Sequence, residues 1–121
     1  MALVLIVDDS PTDVHVMQKA LEQNGFRTAS AADGSEAIRK ARELHPDLIL
    51  MDIVMPGVNG FQATGQLANE PETRTIPVIM VTSKAQESDR VWGLRQGAVD
   101  YLVKPVATEQ LVQKAQAALA G

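Results

Sequence analysis

The segment that most constrains this chain is Pro46-Asp47-Leu48-Ile49-Leu50-Met51-Asp52-Ile53-Val54-Met55-Pro56-Gly57. Leu48 to Met51 is a continuous apolar run, too short for an ordinary helix and flanked by proline on both sides. It predicts a strand buried on both faces, as in parallel sheets covered by helices. Asp52 is the first charge after the run, at the C-terminal strand end, where open α/β sheets place their chemistry. It is a candidate reactive group, and by the same position an aspartate that begins a turn.

The remaining segments repeat the pattern. Leu3 to Val7 is a second apolar run, closed by Asp8-Asp9. Ser10-Pro11-Thr12-Asp13 then starts a helix, with Ser10 as N-cap and Pro11 at the first helical position. Val14, Met17, Ala20 and Leu21 form its apolar stripe, and Gly25 ends it. Phe26 to Ala31 reads as a more polar strand. Asp33-Gly34-Ser35-Glu36 is a capping box that opens a second helix, with Ala37, Ile38, Ala41 and Leu44 inward and His45-Pro46 at its end. Asn59-Gly60-Phe61 opens a third helix, weakened by Gly65 and stopped near Pro71. Ile76 to Val81 is the third strongly apolar run, closed by Thr82-Ser83. A helix over Gln86 to Gln96 is expected to turn Val91 and Leu94 inward. Val99 to Val103 is a fifth strand, ended by Lys104-Pro105, and Thr108 caps a last helix with Leu111, Val112, Ala115 and Leu119 inside.

Five alternations of strand and helix predict an α/β, doubly wound, five-stranded parallel sheet with five helices, joined by right-handed crossovers. The most apolar strands belong in the centre and the more polar ones at the edges, which fits the flavodoxin-like order 2-1-3-4-5. Length allows one domain, 1–121, large enough to bury a core without metal or disulfide support. The absence of cysteine removes thiol chemistry and suits a cytoplasmic protein. The N-terminal run meets Asp8 too early for a signal peptide or a membrane span, so no membrane insertion is expected. A net charge of −4 with eleven scattered basic residues predicts no nucleic-acid surface.

In that strand order the switch point lies between the first and third strands, which end in Asp8-Asp9 and Asp52. Nucleotide-binding sheets carry a glycine-rich loop there, whereas this chain carries acids. Three converging carboxylates repel one another unless a hard divalent cation binds their oxygens, so the site predicts Mg2+ or Mn2+. Zinc is not expected, since no histidine or cysteine lies at a strand end and His15 and His45 read as surface residues. Thr82 and Lys104, at the ends of the fourth and fifth strands, offer a hydroxyl donor and an ammonium toward the same crevice. In isolation they read as a turn cap and a solvated lysine. Together with the acids they describe a carboxylate nucleophile, a metal and two groups that neutralise a transferred phosphoryl.

The motifs Ile6-Val7-Asp8-Asp9-Ser10, Asp47 to Pro56, Asn59-Gly60-Phe61, Pro77 to Ser83, Gly97-Ala98 and Tyr101-Leu102-Val103-Lys104-Pro105 resemble the CheY-like response-regulator receiver domains of two-component signalling, across nearly the whole chain. Asp52-Ile-Val-Met-Pro-Gly57, Gly60-Phe-Gln-Ala-Thr64 and Val91-Trp-Gly-Leu-Arg-Gln-Gly97 look closest to receivers of type IV pilus twitching motility. The resemblance implies that Asp52 accepts a phosphoryl group from a histidine kinase, of the CheA type for a pilus receiver. It implies that Asp9 and Asp52 ligate the metal directly, with Asp8 acting through water and the backbone carbonyl of Val54 as a further ligand. It also implies that Thr82 and Tyr101 form a switch pair in which the threonine hydroxyl moves onto the phosphoryl group and the ring turns inward, and that Lys104 contacts the phosphoryl group. The Lys104-Pro105 bond is commonly cis in such domains. Such a protein catalyses its own phosphotransfer and dephosphorylation and is not an enzyme in the usual sense. The resemblance also implies a receiver with no output domain.

Ile53 stands where the chemotaxis protein has tryptophan, and positions 54 and 84 are ones that tune acyl-phosphate hydrolysis in the family. Val54 offers no side-chain hydrogen bond to water, and Lys84 is expected to lie across the pocket. An output partner is expected at the face of the fourth helix, fifth strand and fifth helix, with Trp92 as anchor beside Tyr101. Two alternatives are a phosphate sink for a shared CheA-type kinase and a Mg-dependent aspartyl phosphatase. The phosphatase is disfavoured because its acids usually stand as Asp-x-Asp after one strand.

Overall fold

A computed structural model describes all of residues 1–121. The chain forms β1 (Leu3–Val7), α1 (Pro11–Glu22), β2 (Arg27–Ala31), α2 (Gly34–Leu44), β3 (Leu48–Met51), α3 (Gly60–Asn69), β4 (Val78–Thr82), α4 (Glu87–Gln96), β5 (Asp100–Val103) and α5 (Thr108–Ala120). All strand pairings are parallel and the order is β2-β1-β3-β4-β5.

Alternation along the buried strands divides the interior in two. Leu5, Val7, Ile49, Met51, Val78, Met80 and Tyr101 belong to one core with α2 and α3, of 16 buried residues. Val4, Ile6, Leu48, Leu50, Ile79, Val81 and Leu102 belong to the other with α1 and α5, of 14. The near-equal sizes show why no central strand has a polar face: each must satisfy an apolar layer on both sides. Full burial stabilises each large side chain by about 1.5–3 kcal/mol.

Helix starts follow local chemistry. The Ser10 side chain accepts from the Asp13 backbone N–H, Asp33 accepts from Glu36, and Asn59 and Gln62 form a reciprocal capping box. The α2 box differs from the expected one, because the Glu36 carboxylate accepts from the N–H of Ala32, one residue before the cap.

Several expected boundaries and faces differ. Phe26 precedes β2 and packs in the α1/α5 core, and β4 begins at Val78 because Pro77 has no N–H to give a ladder. Val99 lies outside β5 and is exposed. Ala107, not Thr108, is the N-cap of α5, and no side chain caps it. Leu44 is exposed on the last turn of α2, beyond Ala41, where the chain reverses through His45 in the left-handed conformation.

The largest difference is in α4. Val91 and Leu94 are exposed, and Gly93 is the helix's one buried residue. A Cβ at Gly93 would lie 3.3 Å from both Met80 Cγ and Tyr101 Cδ2. The missing side chain therefore lets α4 approach the sheet. With Gly93 inward, a 3.6-residue turn puts Trp92 and Leu94 about 100° to either side and Val91 on the far side.

Candidate functional site

Backbone bonds carry the sheet one residue past β1 and β3. The N–H of Asp8 donates to Ala31 O at 3.0 Å and that of Asp52 to Val7 O at 2.9 Å. Both carboxylate-bearing residues are thereby anchored at the switch point. Asp8, Asp9 and Asp52 offer carboxylate oxygens within 4.8 Å of one another, with Asp8 and Asp52 buried and Asp9 exposed.

Asp8 Oδ1 accepts from the Ser10 N–H at 2.9 Å and Asp52 Oδ1 from the Ile53 N–H at 2.7 Å. Lys104 Nζ donates to Asp8 Oδ2 at 2.6 Å, Asp13 Oδ2 at 2.8 Å and Asp52 Oδ2 at 3.1 Å. Its three N–H bonds thus go to three carboxylates. Burial disfavours the Lys104 ammonium, but the hydrogen bonds to Asp13, Asp8 and Asp52 outweigh it and hold its pKa above the ordinary lysine value. Burial pushes the Asp8 carboxyl up, against the opposing hydrogen bonds from Lys104 and Ser10, and the Asp52 charge adds to the rise. Relative to the unfolded chain the fold therefore disfavours the Asp8 carboxylate, and stability present at low pH falls as pH rises through the raised pKa. One ammonium does not fully compensate these acids.

That donor set, all hard oxygen, fits a magnesium or manganese ion and does not fit zinc. Asp8, Asp9 and Asp52 are the residues placed to hold it. Val54 stands two residues beyond Asp52 with its side chain exposed.

Thr82 ends β4 and is buried. Its carbonyl accepts from the Lys104 N–H at 2.8 Å, so the hydroxyl and ammonium residues are neighbours across β4 and β5. The Lys104-Pro105 bond is cis. Lys84 differs from expectation: its ammonium is 4.0 Å from Asp89 Oδ1 in the first turn of α4 and does not reach the carboxylate cluster. Tyr101 is turned inward, 7 % exposed, and its hydroxyl donates to the Lys84 carbonyl at 2.7 Å. On the α4 side of the output face expected from the sequence Trp92 is 50 % exposed, while Tyr101 is buried. Asp13 was not singled out by the sequence as a site residue, because an acid in a first helical turn reads as a complement to the helix dipole.

Burial, reinforced by the Asp89 and Asp52 charges, pushes the Tyr101 phenol from 10.0 up to about 12. Because the folded state retains the proton more tightly, stability falls as pH rises through that interval. Tyr101 is the only tyrosine, so alkaline titration of phenolate absorbance reads it alone. The midpoint should be near 12, and a midpoint near the ordinary 10.0 would mean a solvated ring.

Residues 4–116 match the response regulator receiver domain, and the chain belongs to that family. Receiver domains accept phosphoryl groups from histidine kinases and bind Mg2+ at an acidic pocket. Over 121 residues the chain is 54% identical to the protein PilH of Pseudomonas aeruginosa, with 100% of both covered. It superposes on the Vibrio cholerae chemotaxis protein CheY4 with a TM-score of 0.92 and 33% identity, covering 98% of this chain and 99% of that one. The receiver domain of a P. aeruginosa sensor histidine kinase, crystallised with magnesium coordinated in its active-site cleft, matches with a TM-score of 0.92 and 32% identity, covering 99% and 98%. The chain spans 51% of the length of the Escherichia coli transcriptional regulator PhoB, to which it is 40% identical. No helix is long and apolar enough to cross a membrane.

Proposed function

We propose that the chain is a single receiver domain whose Asp52 accepts a phosphoryl group from a histidine kinase. The observation that carries this reading is the convergence of the Asp8, Asp9 and Asp52 carboxylates within 4.8 Å, with Lys104 Nζ bridging Asp8 and Asp52. An Asp52 carboxylate oxygen forms the new bond to phosphorus as the bond to the phosphohistidine nitrogen breaks. That nitrogen keeps the electron pair and takes up a proton. Asp8, Asp9, Asp52 and the Val54 carbonyl would hold a magnesium or manganese ion, which would supply the positive charge that lets an anionic donor approach. Lys104 transfers its hydrogen bond from Asp52 Oδ2 to a phosphoryl oxygen, and the Thr82 hydroxyl donates to another. Burial of Asp52 and Thr82 limits water, which strengthens these contacts.

As the Thr82 hydroxyl moves onto the phosphoryl group it leaves room for the Tyr101 ring to stay in its inward position, with its hydroxyl on the Lys84 carbonyl, and the surface around Trp92 binds the output partner. The half-exposed Trp92 ring there supports a partner-binding switch over a phosphate sink. The 54% identity to PilH supports a pilus-linked role with a CheA-type kinase. Incubation with acetyl phosphate should label the protein with Mg2+ or Mn2+ and leave it unlabelled in chelator. Labelling that survives chelation would sink the metal-dependent reading.

A further inference from the structure

The geometry points to Asp13 as a positioning residue that keeps Lys104 at the phosphoacceptor once the metal is bound; this rests on the reading of Asp52 as phosphoacceptor. Of the three carboxylates that hold the ammonium, Asp8 and Asp52 belong to the cation cluster, and Asp13 does not. A divalent cation held by the cluster that includes Asp8 and Asp52 would draw on the same carboxylates as Lys104 and repel its ammonium, so both of those anchors weaken on metal binding. Asp13 is the anchor that remains.

The position of Asp13 is itself well defined. It lies in the first turn of α1, where its backbone N–H donates to the Ser10 cap at 3.3 Å. Asp8 accepts from the N–H of the same Ser10, so Asp8 and Asp13 are tied to one turn of backbone. The Lys104 ammonium is thus braced between the β1 end and the α1 start. Without Asp13 it has somewhere to go, because Lys104 also lines a half-open groove of about 450 Å³ between α1 and α5, beside Val106, Thr108 and Leu111. An ammonium that withdraws there no longer reaches a phosphoryl oxygen on Asp52.

A bland account makes Asp13 only a helix-dipole complement, which affects stability and not Lys104. A double-mutant cycle on the full chain separates the two, using Asp13→Asn, Lys104→Ala, the double variant and Asp13→Glu, with labelling by phosphoramidate at saturating Mg2+. Asp13→Asn should label about fivefold more slowly, as for loss of one half-exposed charge-assisted hydrogen bond. The same change should have no effect in the Lys104→Ala background, and Asp13→Glu should recover most of the rate. Independently of labelling, limiting acetic anhydride followed by peptide mass spectrometry reads the accessibility of Lys104 against exposed Lys19. With Mg2+, Asp13→Asn should raise Lys104 modification severalfold, and in chelator, where Asp8 and Asp52 still hold it, only slightly. Additive rate losses in the cycle, or Lys104 equally protected in parent and Asp13→Asn with Mg2+, would overturn the assignment. A parent that does not label at all would instead remove the phosphoacceptor reading, while the modification experiment still decides whether Asp13 anchors Lys104.

Discussion

Asp52→Asn is expected to reduce phosphoryl labelling to background while leaving the fold intact. The amide keeps the shape of the carboxylate, so its oxygen still accepts from Ile53 or Lys104, but it has no anionic oxygen to attack phosphorus. None of the neighbouring acids is placed to substitute. Asp8 is buried with both oxygens engaged, one by Ser10 and one by Lys104. Asp9 is open to solvent, and Asp13, in the first turn of α1, is half-exposed with its Oδ2 on Lys104. Losing one charge from a crowded acidic cluster also relieves repulsion, so the variant should melt no lower than the parent in chelator. Labelling at the parent's level, mapped by peptide analysis to Asp8, Asp9 or Asp13, would move the phosphoacceptor.

The architecture was readable because each central strand is a short, doubly buried apolar run ended by an acid or a hydroxyl residue. Leu3 to Val7, Leu48 to Met51 and the β4 segment have no amphipathic alternative, so both strand type and central position followed. Once the order was known, Asp8, Asp52, Thr82 and Lys104 had to meet at one end of the sheet. What stayed hidden depends on small residues and on backbone. In α4 the inward position is Gly93, invisible to any hydrophobic pattern, so Val91 and Leu94 looked like the buried pair. The Tyr101 hydroxyl finds the carbonyl of Lys84, a partner that any residue type would supply. Lys84 itself turns toward Asp89, an acid on α4 whose direction depends on that helix's rotation. Asp13 was masked by its helix-start role, though it supplies one of the three bonds to Lys104.

The same limit applies to Gly60, whose need for a bare Cα no sequence pattern shows, although it stands beside the cap Asn59 and within the receiver-like motifs. Gly60→Ala is expected to destabilise the protein by about 3 kcal/mol or more and to depress labelling in whatever folds. An added Cβ would stand 1.9 Å from the Asp52 carbonyl oxygen and 2.8 Å from Ile53 Cα, both backbone atoms. Neither side yields easily. Asp52 is tied to β1 through Val7 O, and the carbonyl of Ile53 accepts from the Gly60 N–H at 2.9 Å. The start of α3 is held by the Asn59–Gln62 capping box and by Ala63 and Leu67 in the core. Relief therefore requires moving the strand end that carries Asp52, away from Asp8 and Lys104. Misplacement by about 1 Å costs on the order of 100-fold in a positioned reaction. Gly65→Ala provides the control, since its Cβ would meet only the end of the Gln96 side chain, which rotates away. That change should alter stability by no more than about 1 kcal/mol, with the helix preference for alanine in its favour. Thermal melts should place Gly60→Ala roughly 10 °C or more below the parent and Gly65→Ala near it. If Gly60→Ala melts with the parent and labels at its rate, the close approach of α3 to the Asp52 backbone is not what holds the acceptor in place.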